Sequence, residues 1–181
     1  MTKTIIVPER EFWNEADEVF VKVPATELVL EHSLFSISKW EAIWHKPFLS
    51  SEDRTVEETR SYIQCMTANH GVSPEVYFAL TQNNITEVSD YIADPMTATW
   101  FSKKPQRGRQ RVYTSELLYY YMIAFKIPFE CEHWHINRLL TLIRICDEEN
   151  STSGKRGKKG DTSKHYAEVN AARKKMSGSR G

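Results

Sequence analysis

The sequence has little glycine, few cysteines and no long apolar run. Only two of its seven glycines, Gly71 and Gly108, come before residue 150. Three cysteines, an odd number at no regular spacing, favour reduced thiols over a disulfide framework. No stretch approaches the roughly 20 apolar residues that cross a bilayer, and Pro8–Arg10 interrupts the N-terminus where a signal peptide needs its apolar segment. We therefore expect an intracellular protein with no membrane partner.

The sequence also lacks net charge, but its neutrality is the sum of two opposite parts. Residues 151–181 hold nine Lys and Arg against two Asp and Glu, which leaves 15 against 22 among residues 1–150. A block of like charge at a terminus is typical of a solvated or interacting tail rather than of a core. Five of the seven glycines also lie in this tail, which indicates a flexible linker at about 150–161.

Catalytic and nucleotide-binding motifs are absent from the sequence. It contains no G-x-S-x-G, H-E-x-x-H, G-x-x-x-x-G-K-[ST] or G-x-G-x-x-G pattern. Cys65 lies at helical spacing behind Tyr62, which is typical of a small buried apolar side chain rather than of a nucleophile. Paired carboxylates such as Glu57 and Glu58 lie beside predicted helix ends, where capping or solvation explains them. We therefore expect neither an enzyme nor a bound cofactor.

The segment "CEHWH" contains the residues most like a metal site. Cys131, Glu132, His133 and His135 supply thiolate, carboxylate and imidazole, the ligand types that Zn²⁺ takes. On one helix, however, residues 131 and 135 share a face while 133 points away, and no second pair of ligands follows at zinc spacing. We therefore expect no metal, and polar residues in the first turn of a helix, where Glu130 and Glu132 suit the helix dipole.

Periodicity predicts an α+β, mostly helical fold with short N-terminal strands. Apolar and β-branched runs at 4–7, 19–23 and 28–30 are interrupted by Pro8 and Pro24, which favours short edge strands. From Ser33 onward the signals are helical.

Capping residues place several of the predicted helices. Thr55 and Glu58 have the capping-box spacing, in which hydroxyl and carboxylate satisfy backbone amides of the first turn. Asn84 and Glu87 have the same spacing and predict a second helix start.

Two later segments predict a central helical hairpin. The segments 116–127 and 129–150 are separated by Pro128, and a short connection makes consecutive helices antiparallel neighbours. We predict a globular domain at 1–149, with this hairpin at its centre, and a basic linker and C-terminal arm at 150–181.

Five stretches together resemble a group of small proteins encoded in the structural-gene blocks of tailed bacteriophages, in particular tail assembly chaperones. They extend from about Leu30 to the C-terminus, without the linker 150–161. The stretches are "LEHSLFSISKWEAIWHKPFLS", "EETRSYIQCMT", "YIADPMTATWF", "PFECEHWHINRLLTLIRIC" and "NAARKKMSGSRG".

The resemblance implies a non-enzymatic role in phage morphogenesis through protein–protein contacts. The partners it implies are other phage structural proteins, namely the tape measure, tail or capsid proteins. A chaperone would act in the host cytoplasm during assembly. The alternative is a structural component of the virion (tail, baseplate or capsid accessory) that docks through its C-terminal arm.

Two sets of residues are candidates for partner binding. A chaperone groove needs aromatic and flexible apolar side chains, which Trp40, Trp44, Phe48, Trp100 and Phe101 would supply with Met66 and Met96, unless these residues are simply core. The basic candidates are Lys103, Lys104, Arg107, Arg109 and Arg111 in the loop 102–111 and Arg173, Lys174 and Lys175 in the arm.

Nucleic acid is the alternative partner for the basic residues. Lys and Arg neutralise phosphates, and Phe101 and Tyr113 flank the basic loop where single strands need stacking partners. The acidic remainder of residues 1–150 would repel a polyanion, however, and the loop and arm suit an acidic protein surface equally well.

Overall fold

In the computed structural model of the chain, four described strands precede the described helices. The structure describes residues 1–14, 18–50, 54–101 and 112–151. The prediction of an α+β, mostly helical fold with N-terminal strands and a helical hairpin is confirmed. Within the described ranges, no helix has the length and apolar character needed to span a bilayer.

The chain divides into two compact units. The first is Met1–Thr141 and the second is Leu142–Gly181, of which the structure describes the helical residues 142–151. The predicted arm lies outside the described residues from 152 onward, so the predicted boundary at 149 stays a prediction.

The strands form one two-stranded antiparallel ribbon with a break in the middle. Continuing the register of the first pair across the break sets Pro8 opposite Ala25 and Pro24 opposite Glu9, and then gives the observed second pair. Because proline has no N–H to donate, the ladder is interrupted there. The proximal half pairs β1 (Lys3–Val7) with β4 (Thr26–Leu30), and the distal half pairs β2 (Arg10–Asn14) with β3 (Val19–Val23).

The two halves of the ribbon bury opposite faces. In the proximal half the cross-strand pair Ile5 and Leu28 is buried. Trp13 and Phe20 follow on the same face in the distal half and are exposed, whereas Val23 on the other face is buried. A two-stranded ribbon twists strongly, which allows this change of face. The sequence pattern did not predict β2, because this strand carries polar residues at both ends.

Five α-helices follow the ribbon within the described ranges. They are α1 (Leu34–Trp44), α2 (Val56–Met66), α3 (Gln82–Ala93), α4 (Ser115–Ala124) and α5 (136–151), with 3₁₀ turns at Phe48–Ser50, Pro74–Phe78 and Phe129–His133.

Side chains cap the starts of the helices, and one of the two predicted capping boxes is correct. Thr55 and Glu58 form the predicted capping box of α2. The predicted start at Asn84 is wrong by one turn, because Thr81 is the N-cap of α3 and Asn84 is the third residue of its capping box. Asn84 also donates a hydrogen bond from Nδ2 to the carbonyl of Ile6 at 3.0 Å, which ties α3 to the ribbon.

The second helix of the hairpin begins later than predicted. Residues 129–133 form a 3₁₀ turn, and Trp134 then takes an extended conformation with φ −73° and ψ 156°. His135 forms an isolated β-bridge with Ser33, so the α-helical part begins only at residue 136. Pairing with the chain just after the ribbon overrides the helical pattern at this point.

The core joins the proximal ribbon to α1, α2, α4 and the start of α5. Trp40 is its largest fully buried side chain, and its indole N–H donates to the carbonyl of Glu58 at 2.9 Å. The other large, fully buried side chains are Ile5, Leu28, Leu30, Leu34, Ile37, Ile63, Met66, Leu118, Met122, Ile136 and Leu139.

Replacing Leu139 by Ala should lower the free energy of unfolding by about 2–5 kcal/mol. The side chain is fully buried, and its truncation removes apolar burial and leaves a cavity. Ile43→Ala is the matched control, since Ile43 is 60% exposed and should change stability by less than about 0.5 kcal/mol. Urea unfolding of both variants tests this, and equal effects would contradict the burial of Leu139.

Candidate functional site

Two histidines and two tyrosines form a buried polar cluster where the ribbon ends. His32 Nδ1 lies 2.5 Å from the hydroxyl of Tyr62 in α2, and the backbone N–H of His32 donates to the hydroxyl of Tyr91 in α3 at 3.1 Å. His135 Nε2 lies 3.0 Å from the carbonyl of Tyr91. The two imidazole rings meet edge to face, with centroids 4.9 Å apart. The cluster therefore links the ribbon to α2, α3 and the segment that begins α5.

Burial holds all four of these side chains in their neutral forms. Desolvation is the main cause that lowers the pKa of His32 to about 3, and the neighbouring His135 and Arg54 side chains also disfavour a proton on it. Desolvation also lowers the pKa of His135, and it raises the pKa values of Tyr62 and Tyr91. A neutral imidazole can both donate and accept, which is what this network uses. The cluster is suited to holding elements together rather than to moving protons at neutral pH.

Two buried carboxylates hold the segments beside the cluster. Glu41 in α1 accepts hydrogen bonds from the backbone N–H of Phe48 and of Ser115, both at 2.7 Å. Glu58 accepts from Lys46 and from the backbone N–H of Thr55. The bond with Lys46 and the backbone bond lower the pKa of Glu58. Both carboxylates therefore accept hydrogen bonds from backbone amides inside the fold.

The side chains of "CEHWH" contact different partners in the structure. Cys131 is buried, and desolvation raises the pKa of its thiol. Glu132 accepts a hydrogen bond from the hydroxyl of Tyr119 at 2.7 Å, whereas His133 lies 3.0 Å from a carboxylate oxygen of Glu31. His135 belongs to the buried cluster. Across the part of the chain that the structure describes, no three His, Cys, Asp or Glu side chains are placed to hold a metal ion.

A cleft of about 420 Å³ is lined by residue types that occur in catalytic sites, but these residues are not arranged for catalysis. Glu31, Cys65, His70 and His133 all line it. Cys65 is buried, and desolvation raises the pKa of its thiol, so the nucleophilic thiolate is disfavoured. His133 is directed to Glu31 instead of the thiol. The cleft therefore supports no nucleophilic role for Cys65.

The predicted aromatic groove is wrong for Trp40 and Phe48, which are buried. Trp40 and Phe48 are 0% and 2% exposed and pack edge to face with centroids 5.2 Å apart, so they belong to the core. Trp44 is half-buried and donates from its indole to the hydroxyl of Ser61 at 2.9 Å. Trp100 remains available, because it is 85% exposed.

The other predicted contact residues have mixed outcomes. Phe101 and Met96 are half-buried, and Met66 is in the core. The basic candidates all lie outside the described residues, so their roles stay predictions. They are Lys103, Lys104, Arg107, Arg109, Arg111, Arg173, Lys174 and Lys175.

The distal half of the ribbon exposes an aromatic pair that the sequence pattern did not predict. Trp13 and Phe20 are cross-strand partners, and their rings meet edge to face with centroids 4.9 Å apart. They are 49% and 68% exposed. We name these two residues the ribbon-end patch. Apolar residues at the end of a predicted strand were the available signal, but without β2 their pairing was invisible.

The stability of the protein should fall as the pH falls from about 6.5 toward about 5. A histidine whose pKa is lower in the folded than in the unfolded chain binds its proton on unfolding, so acid favours unfolding. The contribution of His32 is fully present above its unfolded pKa of 6.5 and is lost as the pH falls toward about 3. Each buried histidine contributes a slope of up to about 1.4 kcal/mol per pH unit in the free energy of unfolding. Urea unfolding between pH 7 and 5 measures this slope.

An exposed histidine provides the control for this measurement. His70→Gln should retain the slope, since His70 is exposed. Measuring only at pH 5 and above separates the effect of the histidines from that of Glu58. The pKa of this carboxyl is lowered in the fold, so its contribution to stability is lost only as the pH falls below its ordinary pKa of 4.5. A flat profile between pH 6.5 and 5 would contradict the neutral, buried state of His32 and His135.

Comparison with known proteins finds no similar protein. No protein-family model, curated protein or solved structure matches this chain.

Proposed function

We propose that this chain is a non-enzymatic protein of tailed-bacteriophage morphogenesis that acts as a tail assembly chaperone. It binds an apolar segment of another phage structural protein, such as the tape measure protein, until assembly. The resemblance of the five stretches from about Leu30 to the C-terminus supports the phage setting. The ribbon-end patch is the single structural observation that supports a binding role.

The ribbon-end patch is suited to binding because its side chains are exposed while the opposite face of the distal ribbon is packed. Val23 is buried, and the ring of Phe12 lies 6.5 Å from the ring of Phe78 in a 3₁₀ turn. Trp13 and Phe20 are therefore presented by a supported strand pair. Covering about 200 Å² of apolar surface would contribute about 5 kcal/mol before the costs of association.

The buried polar groups support a non-enzymatic role. Both cluster histidines are engaged in internal hydrogen bonds, and Glu41 and Glu58 are occupied by backbone amides and a lysine. Groups committed in this way hold the fold together and are not presented to a substrate. The predicted basic loop and arm would add contacts to acidic surfaces of the same partner.

The Trp13→Ser, Phe20→Ser double variant should lose chaperone activity without losing the fold. The readout is the soluble fraction of the tape measure protein of the same phage when the two proteins are co-expressed. We expect the unmodified chain to raise that fraction and the double variant to leave it at the level without chaperone, because the apolar contact is removed. Far-UV circular dichroism should be unchanged, since both side chains are exposed.

Ile6→Ser is the matched control, because Ile6 is an exposed apolar residue of the proximal ribbon, 66% exposed, outside the patch. It should retain the effect on solubility. Equal activity of the double variant and the unmodified chain would contradict the proposed role of the patch.

Mass spectrometry of purified particles separates the chaperone from a virion component. A chaperone should be absent from mature particles. A fixed copy number per particle would replace the chaperone proposal by the structural one, and release of the protein by nuclease would favour nucleic-acid binding instead.

A further inference from the structure

A second surface lies beside the ribbon and is positively charged. A cleft of about 290 Å³ lies between α2, the 3₁₀ turn Pro74–Phe78 and the start of α3. Arg54 and Arg60 line it together with apolar side chains, Thr59 and Gln82, and no Asp or Glu is among the described residues that line it. This is notable on a body in which acidic residues outnumber basic ones. We name this surface the arginine cleft.

Arg60 is held against an exposed aromatic ring. Its guanidinium carbon lies 4.3 Å from the ring centroid of Phe78, which is 56% exposed. Stacking on a ring fixes the plane of the guanidinium and leaves its N–H edge available to an acceptor. Among the residues that the structure describes, Arg60 forms no ion pair.

Arg54 is partly buried and incompletely satisfied. Its guanidinium carbon lies 3.9 Å from the ring centroid of Phe48, and one terminal nitrogen donates to the carbonyl of Phe48 at 2.5 Å. Its Nε is buried and has no hydrogen-bond partner among the described residues. Desolvation lowers the pKa of this guanidinium. Glu58, whose charge acts on Arg54, is already bonded to Lys46 and Thr55.

The rest of the arginine cleft is lined by apolar side chains together with Thr59, Tyr77 and Gln82. Val56 is 74% exposed at its rim, and Leu80 and Ile85 are half-buried in its wall. A volume of about 290 Å³ accommodates one or two side chains, since sites for drug-sized ligands begin at about 300 Å³.

We propose that the arginine cleft docks a partner segment that presents a carboxylate next to a large apolar side chain. The carboxylate lies against Arg60 and reduces the uncompensated charge of Arg54, while the apolar side chain contacts Val56 and Phe78. Charge complementarity selects this occupant, because two arginines with no acid among the described lining residues disfavour a basic segment and leave a neutral one with no ionic contact. The cleft is chemically different from the ribbon-end patch. The proposal holds whether or not the chain acts in a phage.

Binding of an acidic, apolar peptide to the purified full chain tests the proposal. The probe is a fluorescein-labelled peptide in which glutamate alternates with leucine and phenylalanine, and its partner probe carries glutamine at every glutamate. Fluorescence anisotropy should give saturable binding of the acidic probe and at least about tenfold weaker binding of the glutamine probe, the size expected for a charge-assisted hydrogen bond. Raising the salt concentration should weaken only the first.

Arg60→Gln should weaken binding of the acidic probe about tenfold, because the side chain keeps part of its stem but loses its charge. Arg138→Gln is the matched control, since Arg138 is stacked on Trp134 at the same 4.3 Å but lies outside the arginine cleft. It should leave binding unchanged.

Three outcomes would overturn the proposal. They are absence of saturable binding of the acidic probe up to about 1 mM, equal affinity for the glutamine probe, and equal loss of affinity in the Arg60 and Arg138 variants. Circular dichroism of both variants confirms that the fold is retained. Failure of the co-expression test with intact peptide binding would reject the chaperone proposal alone.

Discussion

The position of His32 at the end of the ribbon is the constraint on which the rest of the structure depends. Its backbone N–H donates to Tyr91 and its imidazole bonds to Tyr62, while its carbonyl accepts from the backbone N–H of Ile136 at 2.9 Å. One residue thus connects the sheet to α2, α3 and α5. These elements are far apart in the sequence, and each bond is buried. Because a buried polar group that loses its partner costs about 1–3 kcal/mol, the elements are held in one relative arrangement.

The buried carboxylates of α1 and α2 are likewise paired with hydrogen-bond donors from distant segments or from their own helix start. Glu41 bridges the backbone amides of Phe48 and Ser115, which fixes the segment after α1 and the start of α4 together. Glu58 completes a capping box and also bonds to Lys46. Each carboxylate is therefore compensated where it is buried. The interior is occupied by structural bonds, and the features suited to function are left on the surface.

The first unit carries two surfaces of different chemistry. Phe78 contacts Phe12 of the distal ribbon and also supports Arg60, so the same 3₁₀ turn supports the ribbon and one wall of the arginine cleft. The ribbon-end patch is apolar, whereas the cleft is cationic. The two surfaces therefore suit different groups, an apolar segment for the patch and a carboxylate for the cleft.

The fold class, the start of α2 and the helical hairpin could be predicted from the sequence alone. Local rules suffice for these features: Thr55 and Glu58 are close in sequence, and prolines interrupt strands wherever they occur. Tertiary structure decided what depends on distant partners. The helical pattern includes His135, which pairs with Ser33 instead, and the predicted groove includes Trp40, which is buried in the core. The exposure of Trp13 and the cleft between Arg54 and Arg60 were also invisible, because neither periodicity nor spacing reports which face of an element a distant segment will cover.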